Sequence, residues 1–139
     1  MAPLTGRIAC VFYLLLMSYS TEASLQKLPN CKKKLGSIAI QNDKIRENLA
    51  VGVIVAMRQI QGPVYICEME RRAYKFVGAG GNSTTTTKNV VLDQGTGRLN
   101  LKEVLSKWDD KLKNMGNKKK FGCNLSINDE GYKVACVFK

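Results

Sequence analysis

Apolar and polar residues alternate along the last segment of the chain, from Phe121 to Lys139. This period of two predicts two strands that each bury one face, separated by a turn at Asn128 to Gly131. Asn, Asp and Gly are typical turn residues, so the segment predicts a β-hairpin. Folding at this turn places four apolar pairs opposite each other: Phe121 with Phe138, Cys123 with Cys136, Leu125 with Val134, and Ile127 with Tyr132.

Apolar residues at three- and four-residue spacings predict three helices before the hairpin. The first is expected from about Asn42 to Ile60, where the following Gly62 and Pro63 end it. Its apolar stripe consists of Ile45, Leu49, Val53, Ala56 and Ile60. The second is expected from about Val64 to Val77. The third begins at Asn100, which is a good N-cap residue. Helices followed by a hairpin predict an α+β protein.

The segment between the second and third helices, residues 78–98, is rich in Gly and Thr. We expect a loop with one short strand, Val90 to Leu92. The glycine spacing fits neither a dinucleotide-binding fingerprint nor a phosphate-binding P-loop. Asn82 is a candidate N-glycosylation acceptor in this loop, and Asn124 is a second one in the hairpin. We expect Asn124 to be exposed, because it lies on the strand face opposite the cysteines.

The N-terminus has the composition of a secretory signal peptide. Arg7 precedes an apolar run, and small residues follow around Ser20 to Ser24. The run is shorter than the ~20 residues that span a bilayer. We therefore predict a signal peptide at residues 1–23 and a single domain at residues 24–139, secreted to the extracellular space. Cleavage would also remove Cys10.

The four remaining cysteines are expected to form two disulfide bonds, since disulfides are common in small secreted domains. Four cysteines allow three pairings. The hairpin register favours Cys123–Cys136, and Cys31–Cys67 follows by elimination. Two alternatives are buried free thiols, which need a reducing compartment, and a zinc site. The zinc site is disfavoured because the sequence has no His and the cysteine spacings are not those of structural zinc sites.

The chain is strongly basic, with a formal net charge of +11 at pH 7. Two lysine runs, Lys32–Lys34 and Lys118–Lys120, are the densest positive segments. Such runs can bind sulfated glycans or anionic lipid, although a solvated surface is the simpler interpretation. We do not expect nucleic acid as a partner, because the chain has no recognisable nucleic-acid-binding motif. The lysine runs, at Lys32, Lys33, Lys34, Lys118, Lys119 and Lys120, are therefore candidate anion-binding residues.

Several motifs resemble the CAP superfamily of cysteine-rich secretory, antigen 5 and pathogenesis-related 1 proteins. The segment NDKIRENLAVG is similar to the first-helix motif of that family, with matches at Arg46, Ala50 and Gly52. The segment CEMERRA is similar to its second-helix motif, with matches at Cys67, Met69, Glu70 and Ala73. The tryptophan helix KWDDKLKNMG and the two cysteine strands at the end follow in the family order. The chain resembles most a short, divergent activation-associated secreted protein of a parasitic nematode such as a hookworm. The resemblance implies a three-layer α-β-α sandwich, shortened relative to the family, with the hairpin between helical layers.

The same resemblance implies that the family cavity has lost its chemistry in this chain. Typical members line this cavity with two His and two acidic residues. The first His position falls on Asn42 and the first Glu position falls on Lys88, while the segment that carries the second His is missing. An amide cannot act as a general base, and a lysine opposes cation binding. We therefore expect no catalytic residue, no metal and no cofactor.

The function predicted from the sequence is that of a secreted, non-enzymatic interaction protein. The resemblance implies a parasite factor that acts on host tissue or immunity, with a host extracellular or cell-surface protein as its partner. One alternative is a lipid or sterol carrier, since Val51, Ile54 and Val55 add apolar surface beside the main stripe of the first helix. Another is a cationic protein that binds membranes or glycans.

Overall fold

A computed structural model describes residues 27–78 and 88–139. The predicted signal peptide and Asn82 lie outside these residues, so both stay predictions. Nine elements follow one another in the described part: α1 (Cys31–Leu35), a 3-10 turn (Gly36–Ile38), α2 (Asp43–Met57), β1 (Val64–Tyr65), α3 (Cys67–Val77), β2 (Val90–Gly95), α4 (Leu101–Lys113), β3 (Lys120–Asn128) and β4 (Gly131–Phe138).

The four strands form one sheet in the order β1-β3-β4-β2. β1 pairs with β3 in parallel, whereas the two other pairs are antiparallel. Helix α3 packs on one face of the sheet, while α2 and α4 pack together on the other face. The α+β class and the α-β-α sandwich predicted from the sequence are confirmed.

The β3–β4 hairpin has the predicted register. All four apolar pairs are in place, and Asn128 pairs with Gly131 at the turn. The side chain of Asn128 accepts hydrogen bonds from the backbone N–H groups of Glu130 and Gly131, at 2.9 and 3.1 Å. Gly131 has a φ of 152° and lies so close to the backbone of Gly95 that a Cβ would clash there. The alternating pattern and the turn residues thus determine this part of the fold locally.

The larger core lies between the sheet and the helix pair α2–α4. Phe121 and Phe138 stack with ring centroids 5.9 Å apart, and Leu49, Trp108 and Leu112 from the helices pack in the same cluster. Burial of such side chains is the main favourable contribution to folding, about 1.5–3 kcal/mol for each. Both faces of the sheet therefore need a helical cover, and α3 supplies the second one.

Helix α3 lies unusually close to β3 because Gly122 has no side chain. A Cβ at this position would overlap the backbone of Met69 and Glu70. Asn124, two residues further along the same face, is only 2% exposed, so the expectation that it is exposed is wrong, while its glycosylation stays a prediction. Its amide donates to the carbonyl oxygens of Ile38 and Glu70, at 2.9 and 3.2 Å. Asn124 is therefore a buried polar residue that satisfies backbone carbonyl groups beneath α3.

The predicted helix ends differ from the observed ones at two places. Helix α2 ends at Met57, because Arg58 adopts a left-handed conformation with φ 53° and caps the helix. Ile60, expected on the buried stripe, is instead fully exposed. The segment Val64–Tyr65, expected to begin the second helix, forms strand β1.

Two further differences concern elements that the pattern under-predicted. Helix α1 was not expected, and it is only one turn long, with the Asn30 side chain accepting the Lys33 N–H at its start. Strand β2 extends to Gly95, beyond the predicted Leu92, because it pairs with β4 along six residues. Within residues 27–78 and 88–139, no helix is long and apolar enough to cross a membrane.

Candidate functional site

The two positions that the resemblance assigns to the lost family cavity lie on different elements. Asn42 is the N-cap of α2, and its side chain accepts the Ile45 N–H at 3.1 Å. Lys88 lies in the turn that leads into β2, and it is exposed. Asn42 thus has a local structural role, and Lys88 adds positive charge at the sheet edge. The assignment of these positions to a family cavity stays a prediction.

The polar groups that the fold does bring together are three side chains from separate elements: Arg46 of α2, Glu70 of α3 and Tyr65 of β1, here called the buried cluster. Arg46 Nε donates to Glu70 Oε1 at 2.7 Å, and the Tyr65 hydroxyl donates to the same oxygen at 2.5 Å. The Arg46 guanidinium also lies over the Tyr65 ring, 4.8 Å from its centroid. The cluster therefore ties both helical layers to the sheet.

The buried cluster is closed on its other sides by the N-terminal segment of the described chain. Arg46 Nη2 donates to the carbonyl oxygen of Pro29 at 2.7 Å and contacts Cys31 Sγ at 2.8 Å. Tyr65 is held against β3, since its hydroxyl accepts the Cys123 N–H at 3.2 Å. Glu70 Oε2 is buried and has no hydrogen-bond partner among the described residues. The charge on Glu70 is thus balanced by Arg46 through one oxygen.

Burial and charge set the protonation of this cluster. Burial raises the pKa of Tyr65, and the neighbouring carboxylate of Glu70 raises it further. Burial lowers the pKa of Arg46, but its hydrogen bond to Glu70 and the charges nearby outweigh this effect, and the pKa of Arg46 is raised. Tyr65 therefore stays neutral and Arg46 stays cationic at any physiological pH.

Most of the buried cluster is shielded from solvent, although Arg46 also lines a surface groove. Glu70 is completely buried and Arg46 is 8% exposed. A general acid or base must come within hydrogen-bond distance of a reacting atom, and Glu70 reaches no solvent. The cluster instead positions helices, which is a structural role for the two residues that the family motifs align at Arg46 and Glu70.

A surface groove of about 420 Å³ lies beside the buried cluster. Its lining mixes both signs of charge, with Lys32, Asp43 and Glu47 among its residues, and Lys32 pairs with Asp43 at 3.1 Å. Val51 also lines this groove, whereas Ile54 packs against the core and Val55 is exposed. The apolar residues cited for a lipid carrier thus face three different surroundings.

The exposed ion pairs of α3 form as the spacing predicts. Glu68 accepts from Arg71 at 2.5 and 3.0 Å and from Arg72 at 3.4 Å. Hydrogen bonding to Arg71 lowers the pKa of Glu68 to about 2. Glu70, two residues along the helix, points to the opposite side into the core. No group of three or more potential metal ligands occurs in the part of the chain that the structure describes.

The two predicted disulfide bonds, Cys31–Cys67 and Cys123–Cys136, are both present. The first joins α1 to the start of α3 next to the buried cluster. The second lies inside the hairpin, between directly opposed residues.

The two lysine runs lie on separate elements. Lys32–Lys34 belongs to α1, which the disulfide holds against α3. Lys118–Lys120 leads into β3, beside the short strand β1. Whether either run binds an anion stays a prediction at this point.

A sequence signal for the buried cluster is present but weak. Glu70 is an acidic residue at a helix position that neighbours Met69 and Ala73 on the apolar side, and Arg46 interrupts the stripe of α2. Buried charges are almost always paired. The pairing itself, across 24 residues, becomes visible only when α3 and α2 are placed on the sheet.

Comparisons with known proteins agree with this architecture. A family model described as Ancylostoma-associated secreted protein related matches residues 31–138, which contain every element from α1 to β4. The fold is also similar to a solved structure described as the crystal structure of hookworm platelet inhibitor. The two chains are 18% identical, with a TM-score of 0.57, and the match covers 74% of this chain and 75% of that chain. No curated protein sequence matches the chain. The family resemblance noted from the sequence motifs is confirmed.

Proposed function

The chain belongs to the Ancylostoma-associated secreted protein related family, and from this premise we propose that it is a secreted, non-enzymatic protein of a parasitic nematode. In this proposal it acts on the host by binding an extracellular or cell-surface protein. The observation that supports it most is the lack of accessible catalytic side chains at the family motifs. The chain has no His, and Glu70, the acidic residue of its second-helix motif, is completely buried. Recognition by the surface is the activity that such a molecule retains.

Secretion is supported by the predicted signal peptide and by the two disulfide bonds. Disulfides persist in oxidising compartments and are rare in reduced ones. Both bonds close loops within the described domain, with sequence separations of 36 and 13 residues. They suit a small protein that must stay folded outside the cell.

Host platelets are the cells to test first, because the similar solved structure is described as a platelet inhibitor. The chain should be expressed in a secreting eukaryotic host, tagged at the N-terminus of the secreted product, and added to washed platelets and to erythrocytes. We expect saturable binding that unlabelled protein displaces. The binding should disappear after mild protease treatment of the cells, because the proposed partner is a protein.

Two results would contradict this proposal. One is the absence of saturable binding to platelets, to other blood cells and to immobilised extracellular matrix at micromolar concentration. The other is binding that survives complete removal of surface protein. Either result removes the protein partner but leaves a lipid or glycan partner to be tested separately.

A further inference from the structure

Five lysines lie close together at one end of the sheet, where β2 and β3 begin and β4 ends. We call this surface the basic end. The backbone brings them together, since the N–H groups of Lys119 and Lys120 both donate to the backbone oxygen of Lys139 at 3.0 Å. The Lys139 N–H donates back to Lys120 at 2.8 Å, and the Phe138 N–H donates to Asn89 at 2.9 Å. The lysines of the basic end are Lys88, Lys118, Lys119, Lys120 and Lys139.

The basic end carries a local excess of positive charge. Some basic residues elsewhere form ion pairs, as Lys32 does with Asp43 and Lys113 with Asp109. Within residues 27–78 and 88–139, none of the five lysines of the basic end forms an ion pair. Four of the five are exposed and Lys118 is half-buried. Like charges held this close repel each other, so an anionic partner would be attracted to the surface.

Apolar side chains stand beside these lysines. Ile60 is fully exposed. The preceding Gln59 anchors its loop to the lysine segment, since Gln59 Nε2 donates to the carbonyl oxygens of Gly116 at 2.6 Å and Lys118 at 3.3 Å. Val64 is 48% exposed and is the direct parallel partner of Lys120, so both side chains project from the same face of the sheet. Val64 therefore lies beside Lys120, and the loop that carries Ile60 is held against the lysine segment.

This combination distinguishes between anionic partners. A sulfated glycan offers charge but no apolar phase for an exposed Ile. A bilayer with anionic phospholipid offers phosphate and carboxylate groups at its surface and hydrocarbon directly below them. Lysines attracted to the headgroups leave short apolar side chains such as Ile60 and Val64 at the depth of the acyl boundary.

From this juxtaposition we infer that the basic end docks on a bilayer surface that contains anionic phospholipid. Ile60 and Val64 enter the interface, and the lysines lie at the level of the phosphates. This membrane docking is an interaction in addition to the protein partner proposed above. It would concentrate the molecule on cell or vesicle membranes before any protein contact is made. The docking is reversible, because a few side chains provide far less apolar contact than a membrane-spanning helix.

The test measures sedimentation of the full chain, secreted from eukaryotic cells, with vesicles of phosphatidylcholine that contain or lack phosphatidylserine. We expect binding only when phosphatidylserine is present, and we expect added salt to weaken it. The double variant Lys119→Gln/Lys120→Gln should bind about 30-fold more weakly, since each lysine near such a surface is worth about fivefold. Ile60→Ser should lose about tenfold through its lost apolar contact.

Two matched controls separate this surface from general charge and hydrophobicity. Lys33→Gln/Lys34→Gln removes the same charge from α1, and Ile127→Ser removes another exposed Ile, at the hairpin tip. Both should bind like the parent protein. Ile60→Trp adds a fluorophore at the proposed contact, whose emission should shift to shorter wavelength with anionic vesicles. The native Trp108 is buried and should not respond.

Three outcomes would overturn the inference. The first is no difference between the two kinds of vesicle. The second is equal loss of binding in the α1 control and the Lys119→Gln/Lys120→Gln variant, which would indicate charge attraction without a defined surface. The third is loss of binding in the lysine variant with no effect of Ile60→Ser and displacement by soluble heparin, which would identify a sulfated glycan. All three differ from failure of the protein partner, since the vesicles contain no protein.

Discussion

Charged side chains are held in opposite ways at the buried cluster and at the basic end. In the buried cluster, one cation and one anion from separate helices neutralise each other through a 2.7 Å hydrogen bond, and both are removed from solvent. At the basic end, five cations of one sign stay at the surface, without an ion-pair partner in the described chain. The first arrangement holds the layers of the fold together, while the second leaves charge available to a partner.

The largest effect should follow from breaking the pair inside the buried cluster. Glu70→Gln keeps the shape but leaves the Arg46 guanidinium buried without a counter-charge. We expect a loss of about 3–5 kcal/mol in the free energy of unfolding, measured by urea denaturation with the disulfides intact. Glu68→Gln, two residues away on the exposed side of α3, should leave the free energy of unfolding almost unchanged. Equal losses in the two variants would contradict the structural role of Glu70.

The disulfide beside the buried cluster should matter more than the one inside the hairpin. Replacing Cys31 and Cys67 by Ala opens a loop with a sequence separation of 36 residues, against 13 for Cys123 and Cys136. A chain-entropy treatment gives a loss of about 4 kcal/mol for the first pair and ~3 kcal/mol for the second. Thermal unfolding of the two double variants, compared with the parent, measures the difference. A less stable hairpin variant would reverse the expected order.

A smaller effect should come from Gly122, which lets α3 approach β3. Gly122→Ala would force the backbone of Met69 and Glu70 away from the sheet, and overpacking of this kind costs about 1–3 kcal/mol. Gly116→Ala is the matched control, since a Cβ there would be 3.8 Å from the nearest heavy atom, the Lys113 carbonyl oxygen, in ordinary contact. Unfolding of both variants in urea tests this. If Gly122→Ala is as stable as the control, the close approach of α3 is not needed.

Neutralising the basic end should leave stability almost unchanged. Lys119→Gln/Lys120→Gln alters exposed side chains whose backbone bonds to Lys139 stay intact, so we expect a change within about 0.5 kcal/mol. The same urea titration provides the measurement. A loss comparable to that of Glu70→Gln would mean that these lysines are part of the fold and would remove the contrast between the two regions.

The exposed ion pair of α3 gives the smallest expected effect, and it depends on pH. The pKa of Glu68 is lowered from 4.5 to about 2 by Arg71, so its pairing contributes stability above pH 4.5 that is lost as the pH falls towards 2. NMR titration of the Glu68 carboxyl carbon should show this value. In Arg71→Gln the pKa should move back towards 4.5. No movement would assign the shift to another cause.

The hairpin was predictable from sequence because all of its determinants are local. Alternation sets the faces, the turn sets the register, and the register brings Cys123 opposite Cys136. Helix α4 was predictable for the same reason, since its N-cap Asn100 and its apolar stripe are encoded within one segment. Elements whose limits are set by near neighbours can be derived from the chain alone.

The remaining features depend on tertiary contacts that no local pattern contains. Asn124 looked exposed because the alternating pattern places it on the face of the hairpin opposite the cysteines. Only the position of α3 shows that this face is covered. Ile60 looked buried because its spacing continues the stripe of α2, and the left-handed Arg58 ends the helix before it. The Arg46–Glu70 pair joins two helices that lie on opposite faces of the sheet. The sequence could therefore suggest each residue but not their contact.

The Tyr65 hydroxyl has a consequence for how the sheet meets other molecules. Strand β1 is only two residues long, and a bare edge beyond it would offer open amide and carbonyl groups to a neighbouring chain. The Tyr65 hydroxyl accepts the N–H of Cys123 at 3.2 Å and lies 3.1 Å from the carbonyl oxygen of Cys123. In a longer β1, backbone groups of the next residues would bond to these two groups of Cys123. A side chain thus extends the strand by one step. This seal blocks the addition of another strand to β3 at Cys123.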